Sequence, residues 1–407
     1  METNKTEKNI YLKYMDKKKQ REKILKYRAA RRESYMVYTI IVLMAIGAFN
    51  LYSINMRLSS ITPKLIGYSV TTSVSLVSFA IFLKIDYRNY NKESLRTFMV
   101  FFGLIFFSIM SLNIPIFPKV NGGKGWLTLI GGFRIQVTEV FKLAYIIIYA
   151  IYFSRIKDKN KNIKSNEDLD LKKTVIGSFV VYGVFSIVLV FAVKDLGTAI
   201  HYGMIMAFIV FMSDLSDTII SYIIALAVTF TTAFTTLYYF FGSGYKHERV
   251  ISFVNGLIKS EYDQDKGYQV LQSVIGYGSG GMIGKGYGNG IQKYSYLPEI
   301  DTDFAIVTFA EELGIVGMIL ILFLYMMLFF QIADVAKSSK DYFGKYLAMG
   351  IAGYIMTQVI INISVTLGLL PVFGIPLPFI SYGGSSMLTL MSSLGIIFNI
   401  NRVNSEL

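Results

Sequence analysis

The chain of 407 residues has no cysteine, two histidines, seven prolines and one tryptophan. Without thiols there are no disulfides and no thiolate metal sites, and His201 and His247 alone do not make a histidine-built metal centre. The redox compartment therefore leaves no mark on the sequence. Charge is scarce as well. With 16% charged against 53% hydrophobic residues and a mean hydropathy of +0.49, a soluble fold of two or three domains is excluded.

What is present instead is a series of long apolar runs. A span of about 30 Å of hydrocarbon needs about 20 apolar residues. Ten runs meet that need, at 36–55, 66–83, 98–117, 137–154, 174–193, 196–213, 217–241, 304–331, 346–370 and 376–400. The expected fold class is an all-α polytopic membrane protein of about ten transmembrane helices. The first run follows a basic segment and lacks a small-residue cleavage site, so it reads as a retained span. The expected organisation is a basic tail over 1–34 and one integral-membrane unit over 35–407.

The net charge of +13 would suit nucleic acid, but its placement argues for a membrane. Twelve Lys and Arg precede residue 35, and further clusters fall at 84–96, 155–173 and 337–345. These segments share one side of a ten-span layout. By the positive-inside rule that side is the cytoplasm, which puts both termini inside and the large loop 242–303 outside. Nucleic acid is therefore not an expected partner. The helix-compatible segment 9–32 reads as a juxtamembrane anchor on anionic lipids, with about 1 kcal/mol per basic residue; a docking site for a cytoplasmic partner is the alternative.

Three of the prolines fall in Pro371-Val372-Phe373-Gly374-Ile375-Pro376-Leu377-Pro378, which must break or reverse a helix. Irregular backbone at membrane depth needs cover from protein or a water-filled cavity. The following Ile380-Ser381-Tyr382-Gly383-Gly384-Ser385-Ser386 thus either lines a cavity or permits close helix packing.

Ionisable residues in or near spans are costly and mark function or pairing. Glu139 and Lys142 share one helix face, either as a structural pair or as a cavity lining. Asp195 reads as a helix cap and His201 as a buried hydrogen-bonding residue. Trp126, after Asn121-Gly122-Gly123-Lys124-Gly125, fits an interfacial anchor or a contact to a sugar or lipid head. Asp301 and Asp303 open the eighth span, where Asp303 is either a cap or a chemical group. Glu311 and Glu312 follow roughly 12–14 Å further in by helical rise. No partner for this double acid is evident, which predicts a polar cleft descending from the loop. The glycines at 278, 280, 281, 284, 286 and 288 lack the Gly-Lys-Ser/Thr ending of a phosphate cradle, so a nucleotide site is not expected. They suit close backbone approach, to a lipid-linked chain or to the helix bundle.

Several segments resemble the SEDS family (shape, elongation, division and sporulation), the FtsW, RodA and SpoVE group. They are Arg249-Val250-Ile251-Ser252-Phe253, Gly267-Tyr268-Gln269 and Gly278-Ser279-Gly280-Gly281. With them go Leu297-Pro298-Glu299 with Thr302-Asp303-Phe304, Glu311-Glu312-Leu313-Gly314, and the run from Gly374 to Ser386. The resemblance covers most of the chain from about residue 36. It implies polymerisation of lipid II into glycan strands with release of undecaprenyl diphosphate. It further implies Asp303 as the essential acid and Trp126, Glu139, Lys142, Gln269 and Ser385 among the substrate-binding set. The motif Gln292-Lys293-Tyr294-Ser295-Tyr296-Leu297-Pro298-Glu299 leans to the FtsW-like branch. Asp301 departs from the usual histidine, and a second acid beside Asp303 raises one pKa of the pair, leaving the proton's owner open.

In this chemistry an acceptor hydroxyl attacks an anomeric carbon opposite a diphosphate, so the outcome is inversion. Asp303 is the expected base. Arg249, Lys246, Lys285 and Lys124 are the cations expected to meet the leaving group. An apolar cleft between spans would hold the isoprenoid tails. No cofactor is expected; a divalent cation is possible in such chemistry, without support from the sequence. The implied partners are lipid II, membrane lipids and a class B penicillin-binding transpeptidase, met through the third-to-fourth-span loop and the large loop. The implied location is the bacterial plasma membrane, with the site on the outer face. Two other readings stay open: a lipid II flippase, and a non-catalytic scaffold that activates the transpeptidase.

Overall fold

The computed structural model describes residues 2–56, 62–112, 114–120, 123–129, 134–159, 171–213, 215, 217–241, 245–259, 267–294 and 296–406. Each of the ten apolar runs falls on a helix: α1 (Glu2–Asn55), α2 (Thr62–Lys84), α3 (Glu93–Met110), α4 (Val137–Lys159), α5 (Leu171–Ile187), α6 (Leu196–Phe211), α7 (Asp217–Phe241), α10 (Ala305–Ser338), α11 (Tyr342–Thr366) and α12 (Gly384–Glu406). Seven of these are long and apolar enough to cross a membrane by length and composition alone. The others are the short α6, α5 with its π-helical extension Val188–Ala192, and the polar α12.

Helix α12 shows why hydropathy understates the bundle. Thr389, Ser392, Ser393, Asn399, Asn401 and Asn404 are all buried. They are tolerated because protein groups satisfy them: Asn399 Nδ2 donates to the Leu83 carbonyl at 2.8 Å and Asn401 Nδ2 to the Ala29 carbonyl at 3.0 Å. Helices α4 and α11 are buried over most of their length and form the centre, whereas α2 is exposed over most of its own.

Two predicted spans are cut short by several residues. The third helix stops at Met110 rather than 117, and the last begins at Gly384 rather than 376. The second shift follows from the proline cluster, which runs as irregular backbone between Thr366 and Gly384. Its carbonyls are met by side chains: Gln358 Nε2 donates to Pro376 at 2.7 Å, Asn362 Nδ2 to Ile375 at 2.8 Å, and the Tyr325 hydroxyl to Pro378.

At one end of the bundle α1, α10 and α12 are tied together. Arg32 donates to the Asp334 carbonyl at 3.0 Å, and Arg402 pairs with Glu33 at 3.1 Å. Helix α1 is continuous from the basic segment into the first span, in keeping with the helix-compatible reading of 9–32. At the other end lie the hairpin β1 (Trp126–Thr128) and β2 (Arg134–Gln136), the loop helices α8 (Tyr245–Lys259) and α9 (Tyr268–Gly280), and the segment leading into α10. The hairpin and both loop helices were not anticipated from sequence.

Candidate active site

The glycine-rich segment after α9 has a structural task. Helix α10 is broken at Gly314, whose φ of 65° and ψ of −163° lie outside the helical region. The break would leave backbone groups unsatisfied inside the bundle, and the loop supplies partners. Lys285 N and Gly286 N donate to the carbonyls of Glu311 and Glu312 at 3.0 Å each, while Ile315 N and Val316 N donate back to Gly281 and Met282 at 3.0 and 3.2 Å. Contact this close needs glycine: a Cβ on Gly284, at φ +79°, would stand 2.1 Å from the Glu312 carbonyl oxygen.

The same docking corrects the expectation of an uncompensated double acid. Glu311 is fully buried and accepts from Lys285 Nζ at 2.7 Å and from Gln292 N at 3.0 Å. Glu312 accepts from Lys293 Nζ at 2.7 Å and from Ser53 Oγ at 2.6 Å. The two carboxylates fasten the loop to α10 and α1, so the predicted polar cleft is a set of closed ion pairs. Tyr287 completes the contact by donating to the Phe49 carbonyl at 2.8 Å, its phenol raised above the ordinary value by burial first and the Glu312 charge second.

A separate cavity of about 310 Å³ is lined by none of these docking groups. Asp303, Arg249, Trp126 and Ser385 all line it, together with Gln136, Glu299, Thr302, Phe373 and Tyr382. Five elements meet here. Trp126 comes from the hairpin, which is secured to α12 by Gln136 N donating to Ser385 Oγ at 2.8 Å. Arg249 projects from α8 and donates to Gln269 Oε1 of α9 at 3.2 Å. Asp303 is held by its backbone, since Asn362 Nδ2 of α11 donates to its carbonyl at 2.8 Å and to that of Ile375 at the same distance. One amide thus fixes the acid against the proline-rich segment. That segment contributes Tyr382, Gly383, Gly384, Ser385 and Ser386 to the lining, which decides for cavity over plain helix packing.

Other predicted site residues stand elsewhere. Gln269 supports Arg249 without lining the cavity. Lys285 is committed to Glu311, and Lys124 donates to the Ser111 carbonyl, so neither cation is among the lining residues. The side chain of Lys246 lies outside the described residues. Glu139 and Lys142 form a buried pair that does not line the cavity, and the Tyr354 hydroxyl donates to Glu139 at 3.2 Å. Asp195 caps α6 by accepting from Thr198 N at 3.3 Å, and His201 is buried beside Thr357. Among the described residues no cluster of His, Asp and Glu suits a metal ion.

The second acid, Asp301, forms an ion pair with Lys64 of α2. Neither Lys64 nor Lys293 was singled out from sequence, although Lys293 stood in a quoted motif. Only distant packing reveals their carboxylate partners.

Residues 33–406 match the family described as cell cycle proteins, that of FtsW, RodA and SpoVE. The chain belongs to the FtsW, RodA and SpoVE family. Curated relatives agree. A probable peptidoglycan glycosyltransferase FtsW of Geobacter sulfurreducens is 32% identical over 79% of this chain and 81% of its own. Stage V sporulation protein E of Bacillus subtilis is 32% identical over 81% and 84%. Peptidoglycan glycosyltransferase MrdB of Escherichia coli is 33% identical over 72% and 75%. Solved structures share the fold of this FtsW, RodA and SpoVE relative. A chain of a peptidoglycan synthase complex, described for its coordination of polymerization and crosslinking, gives a TM-score of 0.69 at 21% identity, over 91% of this chain and 97% of that one. The rod shape determining protein RodA of Thermus thermophilus gives 0.59 at 21% identity, over 90% and 95%.

Proposed function

We propose that this chain is a peptidoglycan glycosyltransferase that polymerises lipid II, with undecaprenyl diphosphate as leaving group. The observation that carries the reading is one cavity holding Asp303 and Arg249 together, a carboxylate and a guanidinium, beside Trp126 and Ser385. The names of the family relatives support the reaction class.

In the proposed reaction Asp303 accepts the proton of the acceptor sugar hydroxyl as that oxygen attacks the anomeric carbon of the donor. The bond from that carbon to the diphosphate oxygen breaks with inversion, and Arg249 meets the charge that develops on the phosphates. Trp126 offers an apolar ring face and an N–H to the sugar. Gln269 orients Arg249, and the Ser385 hydroxyl is held by the hairpin. The Glu139–Lys142 pair supports the cavity floor through Tyr354. General-base assistance at this step contributes roughly 10²–10⁴-fold.

The site lies at the bundle end that bears loop 242–303, opposite the tied basic end of α1. The distribution of Lys and Arg supports an outward-facing site in a bacterial plasma membrane. A class B penicillin-binding transpeptidase is the proposed partner, supported by the shared fold with a chain of a synthase complex. A flippase track has no such support: Glu139, Lys142, His201, Glu311 and Glu312 are packed into separate buried clusters.

The test is polymerisation of labelled lipid II by the purified protein, with and without the transpeptidase. Asp303→Ala is expected to abolish polymer while leaving membrane insertion and thermal unfolding as in the wild type. Undiminished polymer in that variant would remove Asp303 from the chemistry. Loss in Asp301→Ala alone would move the base.

A further inference from the structure

Helix α2 packs behind the cavity lining through one narrow face. Lys64, Gly67 and Thr71 recur at helical spacing and each meets the segments that line the site. Gly67 lies under the Tyr382 hydroxyl, where a Cβ would come within 2.5 Å of it, and the Thr71 methyl would be 3.0 Å from a Cβ on Gly384. Lys64 reaches Asp301, whose carbonyl in turn accepts from Tyr382 N at 2.7 Å. Tyr382 and Gly384 line the cavity, and Asp303 follows Asp301 by two residues. Lys64 therefore stands at the cavity rim, its side chain 36% exposed against 13% for Asp301.

The charge balance of the lining gives Lys64 its significance. Among the described lining residues Arg249 is the single Lys or Arg, while Glu299 and Asp303 are both carboxylates. A diphosphate entering such a cavity meets more negative than positive charge. Like charges at this range repel, and desolvation strengthens the effect. Lys64 is a lysine the fold brings to the rim, and a phosphate that displaced its Asp301 partner would gain its charge.

We propose that Lys64 binds the diphosphate of the substrate and product, and that the Asp301 carboxylate competes with the phosphates for it. The inference rests on the glycosyltransferase reading for the identity of the ligand. A carboxylate and a phosphoryl oxygen are equivalent acceptors for an ammonium group, so exchange requires only a small movement of the lysine head. Asp301 holds Lys64 at the rim and sets how strongly an anion must bind to displace it. The pair thus tunes affinity for the diphosphate, and Asp303 is left to the hydroxyl.

Binding of farnesyl diphosphate to the full-length protein in detergent tests this apart from catalysis, with farnesyl monophosphate as control and lipid II polymerisation run in parallel. Lys64→Met is expected to weaken diphosphate binding about tenfold and to raise the KM for lipid II, with kcat less affected. Asp301→Asn is expected to tighten binding severalfold, but only while Lys64 is present. Lys64→Arg, which keeps the charge, should retain binding if Lys64→Met fails to fold. Three results would overturn the proposal: no diphosphate binding by the wild type, equal binding by folded Lys64→Met, or tightening by Asp301→Asn in the Lys64→Met background. Lys64-dependent binding without polymerisation by the wild type would support the lysine's role and count against the polymerase reading instead.

Discussion

Two acidic doublets lie eight to eleven residues apart in one stretch of chain, and they have opposite fates. Glu311 and Glu312 are buried at 0% and 2% exposure and each is closed by a lysine from the glycine-rich loop. Asp301 and Asp303 sit at a cavity rim and lining, one facing a lysine of α2 and the other facing the site. The first doublet holds the loop in place; the second stands where the proposed chemistry would occur. Full burial beside a lysine turns a carboxylate into a fastening, and a place on a cavity lining puts it within reach of a substrate.

The sharpest way to test this contrast is to alter one acid of each doublet. Asp303→Asn is expected to lower turnover by roughly 10²-fold or more, with unchanged thermal unfolding, because it removes a base without leaving a buried charge. A lowered melting temperature in that variant would put Asp303 with the fastening acids. Glu312→Ala is expected to destabilise the protein by about 3–5 kcal/mol, since it leaves Lys293 buried without its carboxylate. Thermal unfolding of the purified protein reads this, and the double variant Lys293→Met with Glu312→Leu should recover much of the loss.

Gly284→Ala probes the backbone half of the fastening. Its Cβ would press on the Glu312 carbonyl from a left-handed backbone conformation, so a loss of about 1–3 kcal/mol and faster proteolysis of the loop are expected. A neutral result would mean that loop and α10 are less tightly joined than their hydrogen bonds suggest. The smallest effect belongs to Asp195→Ala, at the N-terminus of α6. Losing the α6 cap should cost about 1 kcal/mol in unfolding while lipid II polymerisation stays at the wild-type rate.

Much of the bundle was legible beforehand. Apolar run length located ten helices, since a span must satisfy its own backbone and hide it in apolar side chains. The motif containing Thr302-Asp303-Phe304 and the one ending in Ser385-Ser386 pointed at residues that do meet in one cavity. The failures share one cause. Glu311 and Glu312 looked uncompensated because Lys285 and Lys293 lie 26 and 19 residues away, beyond any helical pairing rule. Lys285 and Lys124 looked available to a substrate for the same reason, their partners being invisible in the linear pattern. The helix break at Gly314 was hidden because one glycine in an apolar run signals nothing until another backbone is seen to dock there.

The sequence by itself therefore determined the membrane class, the helix positions and the residue types the site would use. These depend on run length, charge sign and local conformational limits, which act over a few turns of chain. Tertiary structure alone decided which carboxylate meets which lysine, which cations line the cavity, and that Asn362 anchors Asp303. Those choices are made by contacts between segments far apart in the chain, 259 residues in the bond from Ser53 to Glu312. Packing geometry sets such contacts, and no local preference encodes them.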